Sequence, residues 1–135
     1  MIGLDTNVLV RYLAQDDPVQ AARATRLIET ELSAAQPGFI SVVVLVELCW
    51  VLKRLYAATR QELLDTVADL LAGVQFHVDQ RDVVQATLRY LRESPGSKVD
   101  LPDVLIAQLA LACGCEQTVT FDHKAARAAG MSLLA

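Results

Sequence analysis

The first fourteen residues, MIGLDTNVLVRYLA (1–14), pass directly from a strand to a helix. The apolar run Met1–Leu4 predicts a short buried strand, and Thr6–Ala14 carries its apolar residues at helical spacing. Asp5 stands between them. Because an ionised carboxylate beside core-forming residues is costly unless a positive group meets it, Asp5 either caps the helix or binds a cation.

The same alternation of strands and helices continues along the chain. We expect further helices at about 19–33, 42–57, 60–71, 81–92, 100–112 and 122–129, and further strands at 39–40, 74–78, 118–120 and 131–134. This order predicts an α/β protein with a parallel sheet and helices on both of its faces. We expect residues 1–135 to form a single domain, since a chain of this length buries a core without disulfides.

Composition restricts the classes of function. Hydrophobic residues make up 53% of the chain and charged residues 21%, which predicts a globular protein rather than a disordered one. The net charge of -4 argues against binding of nucleic acid by overall positive charge, and leaves a local basic patch open.

Membrane segments and disulfides are not expected. The longest apolar run, 40–52, is too short to span a bilayer, and no basic segment precedes the apolar start as in a signal peptide. Cys49, Cys113 and Cys115 are odd in number and lack zinc-type spacing, so we predict small core thiols. These features favour a protein of a reducing compartment such as the cytoplasm.

Three further acids occupy settings similar to that of Asp5. Glu47 is the only charged residue in 42–52, Asp103 begins an apolar helix, and Asp122 follows an expected strand. Ligands of open parallel sheets gather beyond the carboxyl ends of the strands, so the four acids can converge there. Carboxylate oxygens suit Mg²⁺ or Mn²⁺, which accept substrate phosphate oxygens as further ligands. The pattern therefore predicts a divalent-metal site for phosphodiester hydrolysis.

Each acid also has a structural alternative. Asp122, like Asp5, can cap the helix that follows it. Glu47 can be a surface side chain whose stem lies along the apolar helix. Asp100 and Asp103 form a D-x-x-D pattern that resembles a helix cap followed by an acid near the positive helix end. We assign metal ligation to Asp103, and capping or support of a ligand to Asp100.

Polar neighbours of these acids are candidates for supporting roles. Asn7 and Thr120 can orient the acids beside them or hold a water, and local capping or turn bonding is the alternative. His77 is expected to be structural, and His123 is expected to be a solvated residue of the last helix, although it lies beside an acid. Candidate contacts to RNA phosphates, which supply affinity without base specificity, flank the acidic segments: Arg11, Lys53, Arg54, Lys98, Lys124 and Arg127.

Four segments together carry a resemblance to a known family. They are IGLDTNVLVRY (2–12), SVVVLVEL (41–48), DLPDVLIAQLA (100–110) with Gly114 soon after, and VTFDHKAAR (119–127). In this order the chain resembles the PIN-domain ribonucleases and, within them, the VapC-type toxins of prokaryotic toxin-antitoxin pairs. One departure is Leu101-Pro102, where that family more often has an aromatic residue or Ala followed by Ala; proline fixes the backbone before Asp103 without removing a ligand.

The resemblance implies a Mg²⁺- or Mn²⁺-dependent endoribonuclease whose acidic cluster is Asp5, Glu47, Asp103 and Asp122. It also implies a three-layer α/β/α sandwich around a five-stranded, mainly parallel sheet. The partners implied are an RNA substrate, a small cognate antitoxin and a second copy of the chain in a homodimer.

Two other hypotheses remain open from the residues. The first is a Rossmann-like phosphatase that uses Asp5 as a nucleophile; it is weakened because Asn7 stands where that chemistry uses a second acid. The second is a non-catalytic module that binds RNA or protein. Phosphate-binding glycine loops and Ser/His/Asp triads are not found in the sequence.

Overall fold

The computed structural model describes residues 1–134 and contains short strands between longer helices. The strands are β1 (Ile2–Gly3), β2 (Gly38–Ile40), β3 (Phe76–Val78), β4 (Val119–Thr120) and β5 (Ser132–Leu133). The helices are α1 (Thr6–Ala14), α2 (Pro18–Arg26), α3 (Val42–Leu55), α4 (Arg60–Ala72), α5 (Arg81–Arg92), α6 (Leu101–Ala112) and α7 (His123–Ala128). The expected alternation of strands and helices is confirmed.

The chain divides into two compact units, Met1–Gln80 and Arg81–Ala135. The first unit contains a parallel sheet in the order β1-β2-β3, with Ile2 opposite Gly38 and Gly38 opposite Phe76. The second unit contains the parallel pair β4-β5, with Val119 opposite Ser132. The parallel strands expected from the sequence are therefore present in both units.

A single five-stranded sheet, as the resemblance implied, is not shown: the strands described are hydrogen-bonded as three and two. The strands are two or three residues long, so each pair makes few ladder hydrogen bonds. Alternation in a sequence predicts that strands exist, but it does not determine how many of such short strands join one sheet.

Capping residues determine where the helices of the first unit begin. The Asp5 side chain accepts a hydrogen bond from the Thr6 N–H at 2.8 Å at the start of α1. Ser41 caps α3, its hydroxyl accepting from the Val44 N–H at 3.1 Å. Because β1 and β2 are parallel neighbours, Asp5 and the start of α3 lie at the same edge of the sheet.

Two boundaries differ from expectation. The helix expected at 19–33 ends at Arg26 and continues as a π-helical turn, Leu27–Glu31. The Thr30 hydroxyl donates to the Arg26 carbonyl at 2.5 Å, and such a bond competes with the regular helical ladder. The strand expected at 39–40 begins one residue earlier, at Gly38, where a Cβ would meet Leu4 Cδ1 at 2.6 Å, so only glycine fits without a shift.

The buried faces of the helices form the core of each unit. In the first unit the fully buried side chains include Leu9, Ile40, Leu45, Leu48 and Val67. In the second unit α5 packs on α6, and the buried side chains include Val84, Leu88, Leu91, Val104 and Leu105. The Tyr90 hydroxyl donates to the Ala128 carbonyl at 2.9 Å and so connects α5 to α7.

Candidate active site

In the first unit, Asp5 and Glu47 are the two candidate acids. Asp5 is exposed and follows β1 at the carboxyl edge of the sheet, as predicted. Its capping bond uses one acceptor position of a group that offers about four, so capping and cation binding are compatible. Glu47 is exposed in the second turn of α3, whose neighbouring residues Leu45 and Leu48 are fully buried. The Glu47 side chain therefore emerges on the face of α3 that is turned away from the core.

In the second unit, Asp103 lies in an acidic environment. Its carboxyl group is half-buried in the first turn of α6. Burial raises the pKa of Asp103 above its ordinary value, the nearby carboxylates of Asp100 and Asp122 raise it further, and the Lys124 ammonium group acts in the opposite direction. Asp100 and Asp122 are thus near enough to Asp103 to act on its carboxyl group electrostatically.

Asp122 combines a capping role with this electrostatic one. Its Oδ1 accepts from the Lys124 N–H at 2.8 Å and the Ala125 N–H at 3.4 Å at the start of α7. The Thr120 hydroxyl oxygen accepts from the Asp122 N–H at 3.0 Å, so Thr120 fixes the backbone that carries the acid. Thr120 acts here on the main chain of Asp122 rather than on its carboxylate.

Of the two roles predicted for Asp100, capping and support of a ligand, the structure does not show the capping bond. Asp100 occupies the N-cap position of α6, but its side chain makes no capping hydrogen bond to the helix. Pro102 in the first turn removes one of the backbone N–H groups that a cap would satisfy, which lowers the need for one. The carboxylate acts instead on Asp103, whose pKa it raises.

Two further observations concern metal-binding groups. Among residues 1–134, no three His, Cys, Asp or Glu side chains form a group that could hold a metal ion as they stand. The Thr6 hydroxyl, directly after Asp5, is buried and makes no hydrogen bond within the described chain. Neither the residue type nor its position in the sequence indicates that this hydroxyl is unsatisfied.

The candidate RNA contacts differ in their surroundings. Arg11 donates from Nε to Gln20 at 2.7 Å and pairs with Asp16 at 3.3 Å, while the Tyr56 hydroxyl donates to Asp16 at 2.7 Å. Arg11 is thus a member of a network that connects α1, α2 and the end of α3. The other candidates are exposed: Lys53, Arg54, Lys98, Lys124 and Arg127.

The remaining titratable candidates take structural or surface positions. His77 stacks on Phe39 across β2 and β3 at 5.9 Å between ring centroids, in keeping with its expected structural role. Cys49 is buried, and burial raises the pKa of its thiol to about 12. Cys113 and Cys115 are exposed at the end of α6, so the prediction that all three cysteines are core thiols is wrong for these two. All three cysteines are free thiols.

An α/β chain with acids beyond the carboxyl ends of parallel strands belongs to the class of proteins that bind ligands at that edge. The family model of the PIN domain matches residues 2–131, and the chain therefore belongs to the PIN domain family. PIN domains are generally nucleases, act on nucleic acid and use divalent metal ions. A comparison with curated proteins finds no match.

In the described residues 1–134, no helix has both the length and the apolarity that crossing a bilayer requires.

Proposed function

We propose that the protein is a Mg²⁺-dependent endoribonuclease, in which Mn²⁺ can substitute, with Asp5, Glu47, Asp103 and Asp122 as metal ligands. The observation that carries the proposal is the environment of Asp103, where partial burial and two further carboxylates raise the pKa of the group. A cation bound near these carboxylates would relieve their repulsion, and this supports the proposal. The membership of the chain in a nuclease family supports this interpretation.

The donor set fits a hard divalent cation. Carboxylate oxygens are the ligands that Mg²⁺ and Mn²⁺ prefer, and the thiols of this chain are either buried or at the end of α6. When bound, the cation supplies a water of lowered pKa and neutralises charge on the phosphodiester. Asp100 adds negative charge beside Asp103, and Thr120 holds the backbone of Asp122. Asn7, exposed in the first turn of α1, is proposed to orient Asp5 or a water next to it.

Substrate affinity in this proposal comes from cations near the acids. Lys124 already lies close enough to Asp103 to affect the pKa of that group, so its ammonium is placed to meet a phosphate at the same site. Lys98 and Arg127 are exposed in the same unit, and Lys53 and Arg54 are exposed at the end of α3. These side chains contact phosphates, which gives affinity without base specificity.

The biological role follows from the resemblance to VapC-type toxins. We propose a cytoplasmic toxin that acts as a homodimer and that a small cognate antitoxin inhibits. Exposed apolar side chains in the second unit, among them Leu111 at 57% and Phe121 at 77%, support contact with another protein surface. Growth arrest on expression of the chain alone, abolished by loss of Asp103, tests the toxin role, and a monomeric mass by light scattering would contradict the dimer.

Calorimetric titration with Mn²⁺ tests the metal site without depending on catalysis. We expect the wild-type protein to bind Mn²⁺, and we expect Asp5→Asn to weaken that binding at least about tenfold, because loss of a ligand costs no less than loss of an outer-shell partner. Asp69→Asn is the matched control, since Asp69 is an exposed acid of α4 in the same unit. Equal Mn²⁺ affinity in all three proteins would remove Asp5 from the site, and no binding at all would remove the site itself.

A further inference from the structure

One face of α3 is exposed along about three turns and includes Glu47. The exposed residues Val43, Glu47, Trp50 and Arg54 follow one another at intervals of four, three and four, which places them on one side of the helix. We call these four residues the outer face of α3. The buried residues of the helix lie on the opposite side: Leu45, Leu48, Cys49 and Leu52. The outer face therefore carries a proposed metal ligand and, one turn further along, a large aromatic ring.

Trp50 and Arg54 form a stacked pair on this face. The guanidinium carbon of Arg54 lies 4.8 Å from the centroid of the Trp50 ring, the geometry of a cation–π contact. Trp50 nevertheless remains 54% exposed, so the contact leaves much of the indole open to solvent. An arginine that stacks on an aromatic ring keeps its charge and its fork of N–H donors, which suit phosphate oxygens.

The chemistry of the outer face favours nucleic acid over an apolar protein surface. Its apolar members, Val43 and Trp50, are separated by the carboxylate of Glu47, so they do not make a continuous hydrophobic patch. Lys53 and Arg54 add positive charge beside the ring in a chain whose net charge is -4. An exposed aromatic ring with adjacent cations is the combination with which proteins stack single-stranded bases and bind their phosphates.

We propose that Trp50 and Arg54 form a stacking platform for a base of single-stranded RNA, next to the position where Glu47 binds metal. The proposal rests on the proposed function and extends it with a site that holds the substrate. Trp50 lies three residues beyond Glu47, about 4.5 Å along the helix axis, so a base on the ring belongs to a nucleotide close to the bond that is cut. Arg54 orients the ring and contacts the phosphate of the stacked nucleotide.

Trp50 is the single tryptophan of the chain, so its emission reports on this position alone. The experiment titrates the full-length protein with a mixed-sequence single-stranded ten-nucleotide RNA in EDTA, which prevents metal-dependent cleavage. We expect quenching of Trp50 emission that saturates with the same dissociation constant as RNA binding measured by anisotropy. Free N-acetyltryptophanamide in the same titration corrects for absorption of light by the RNA.

Variants then measure how much affinity the ring contributes. Trp50→Ala is expected to weaken RNA binding roughly tenfold, the typical loss for one stacked base, and Trp50→Phe is expected to retain part of the affinity because it keeps a ring. Val43→Ala is the matched control on the same face, 73% exposed and two turns from the ring. Glu47 is present in all of these proteins, so the comparison between them reports on the substituted residue alone.

The outcomes separate this proposal from the function on which it rests. Unchanged Trp50 emission together with equal RNA affinity of Trp50→Ala and Val43→Ala would overturn the platform, even if the protein cleaves RNA with Mg²⁺. Trp50-dependent binding without metal-dependent cleavage would support the platform and contradict the proposed activity. If Trp50→Ala converted a dimer to a monomer by light scattering and RNA left the emission unchanged, a second copy would cover the ring and the platform would be wrong.

Discussion

Asp103→Asn is expected to lower metal-dependent RNA cleavage at least about 100-fold, because a lost metal ligand removes several kcal/mol of transition-state stabilisation. The amide has nearly the same shape as the carboxylate but lacks its charge. Cleavage is measured as initial rate at saturating Mg²⁺. Asp82→Asn is the control, since Asp82 is an exposed acid in the first turn of α5 in the same unit. Wild-type cleavage by Asp103→Asn would exclude Asp103 as a ligand.

The same substitution is expected to leave the metal-free fold at least as stable as the wild type. The pKa of Asp103 is raised in the folded protein, so its contribution to stability is fully present below its ordinary pKa and is lost as the pH rises through the raised value. Above the raised pKa the ionised group therefore opposes folding, and asparagine removes that effect. A large drop in the free energy of unfolding at neutral pH would show that Asp103 stabilises the fold and is not kept there to bind a cation.

Leu48→Ala is expected to lower the free energy of unfolding by about 2–5 kcal/mol, because it leaves a cavity at a position with 0% exposure. Val43→Ala, on the outer face of α3 with 73% exposure, is expected to change it by less than about 0.5 kcal/mol. Urea denaturation measures both. Equal losses would contradict the orientation of α3, and with it the outward direction of Glu47 and Trp50.

Local signals in the sequence predicted most helix boundaries because capping chemistry is local. Asp5 before Thr6 and the break at Asp16-Asp17-Pro18 delimit α1, which spans the predicted residues Thr6–Ala14. The helix expected from residue 42 likewise begins after Ser41, whose hydroxyl caps α3. The strand expected at 74–78 begins only at Phe76, whose N–H donates to the Gly73 carbonyl at 3.1 Å in a turn.

Features that depend on contacts between distant residues were not predictable in the same way. The sequences of such short strands do not indicate that the strands pair as one group of three and one group of two. The exposure of Cys113 and Cys115 depends on what packs over the end of α6, which helical spacing does not report. The sequence left the role of Asp100 open between capping and support of a ligand, because a D-x-x-D pattern has the same letters whether the first acid bonds to the helix or only acts on the second.

In the candidate site, too, some features were predictable from the sequence and others were not. The four acids were selected from their neighbours in sequence, and in the second unit Asp122 acts electrostatically on Asp103. The stacked pair of Trp50 and Arg54 was missed, although its spacing of four residues on a helix was a usable signal.

A Mg²⁺ and Mn²⁺ titration of the wild-type protein on total cellular RNA, with EDTA as the reference, tests the central claim most directly. The account predicts discrete RNA fragments that appear only with metal and increase with its concentration until the site is saturated. No fragments from a folded protein at any metal concentration, or equal cleavage in EDTA, would contradict a metal-dependent endoribonuclease. A phosphorylated aspartate trapped at Asp5 would instead favour the phosphatase hypothesis.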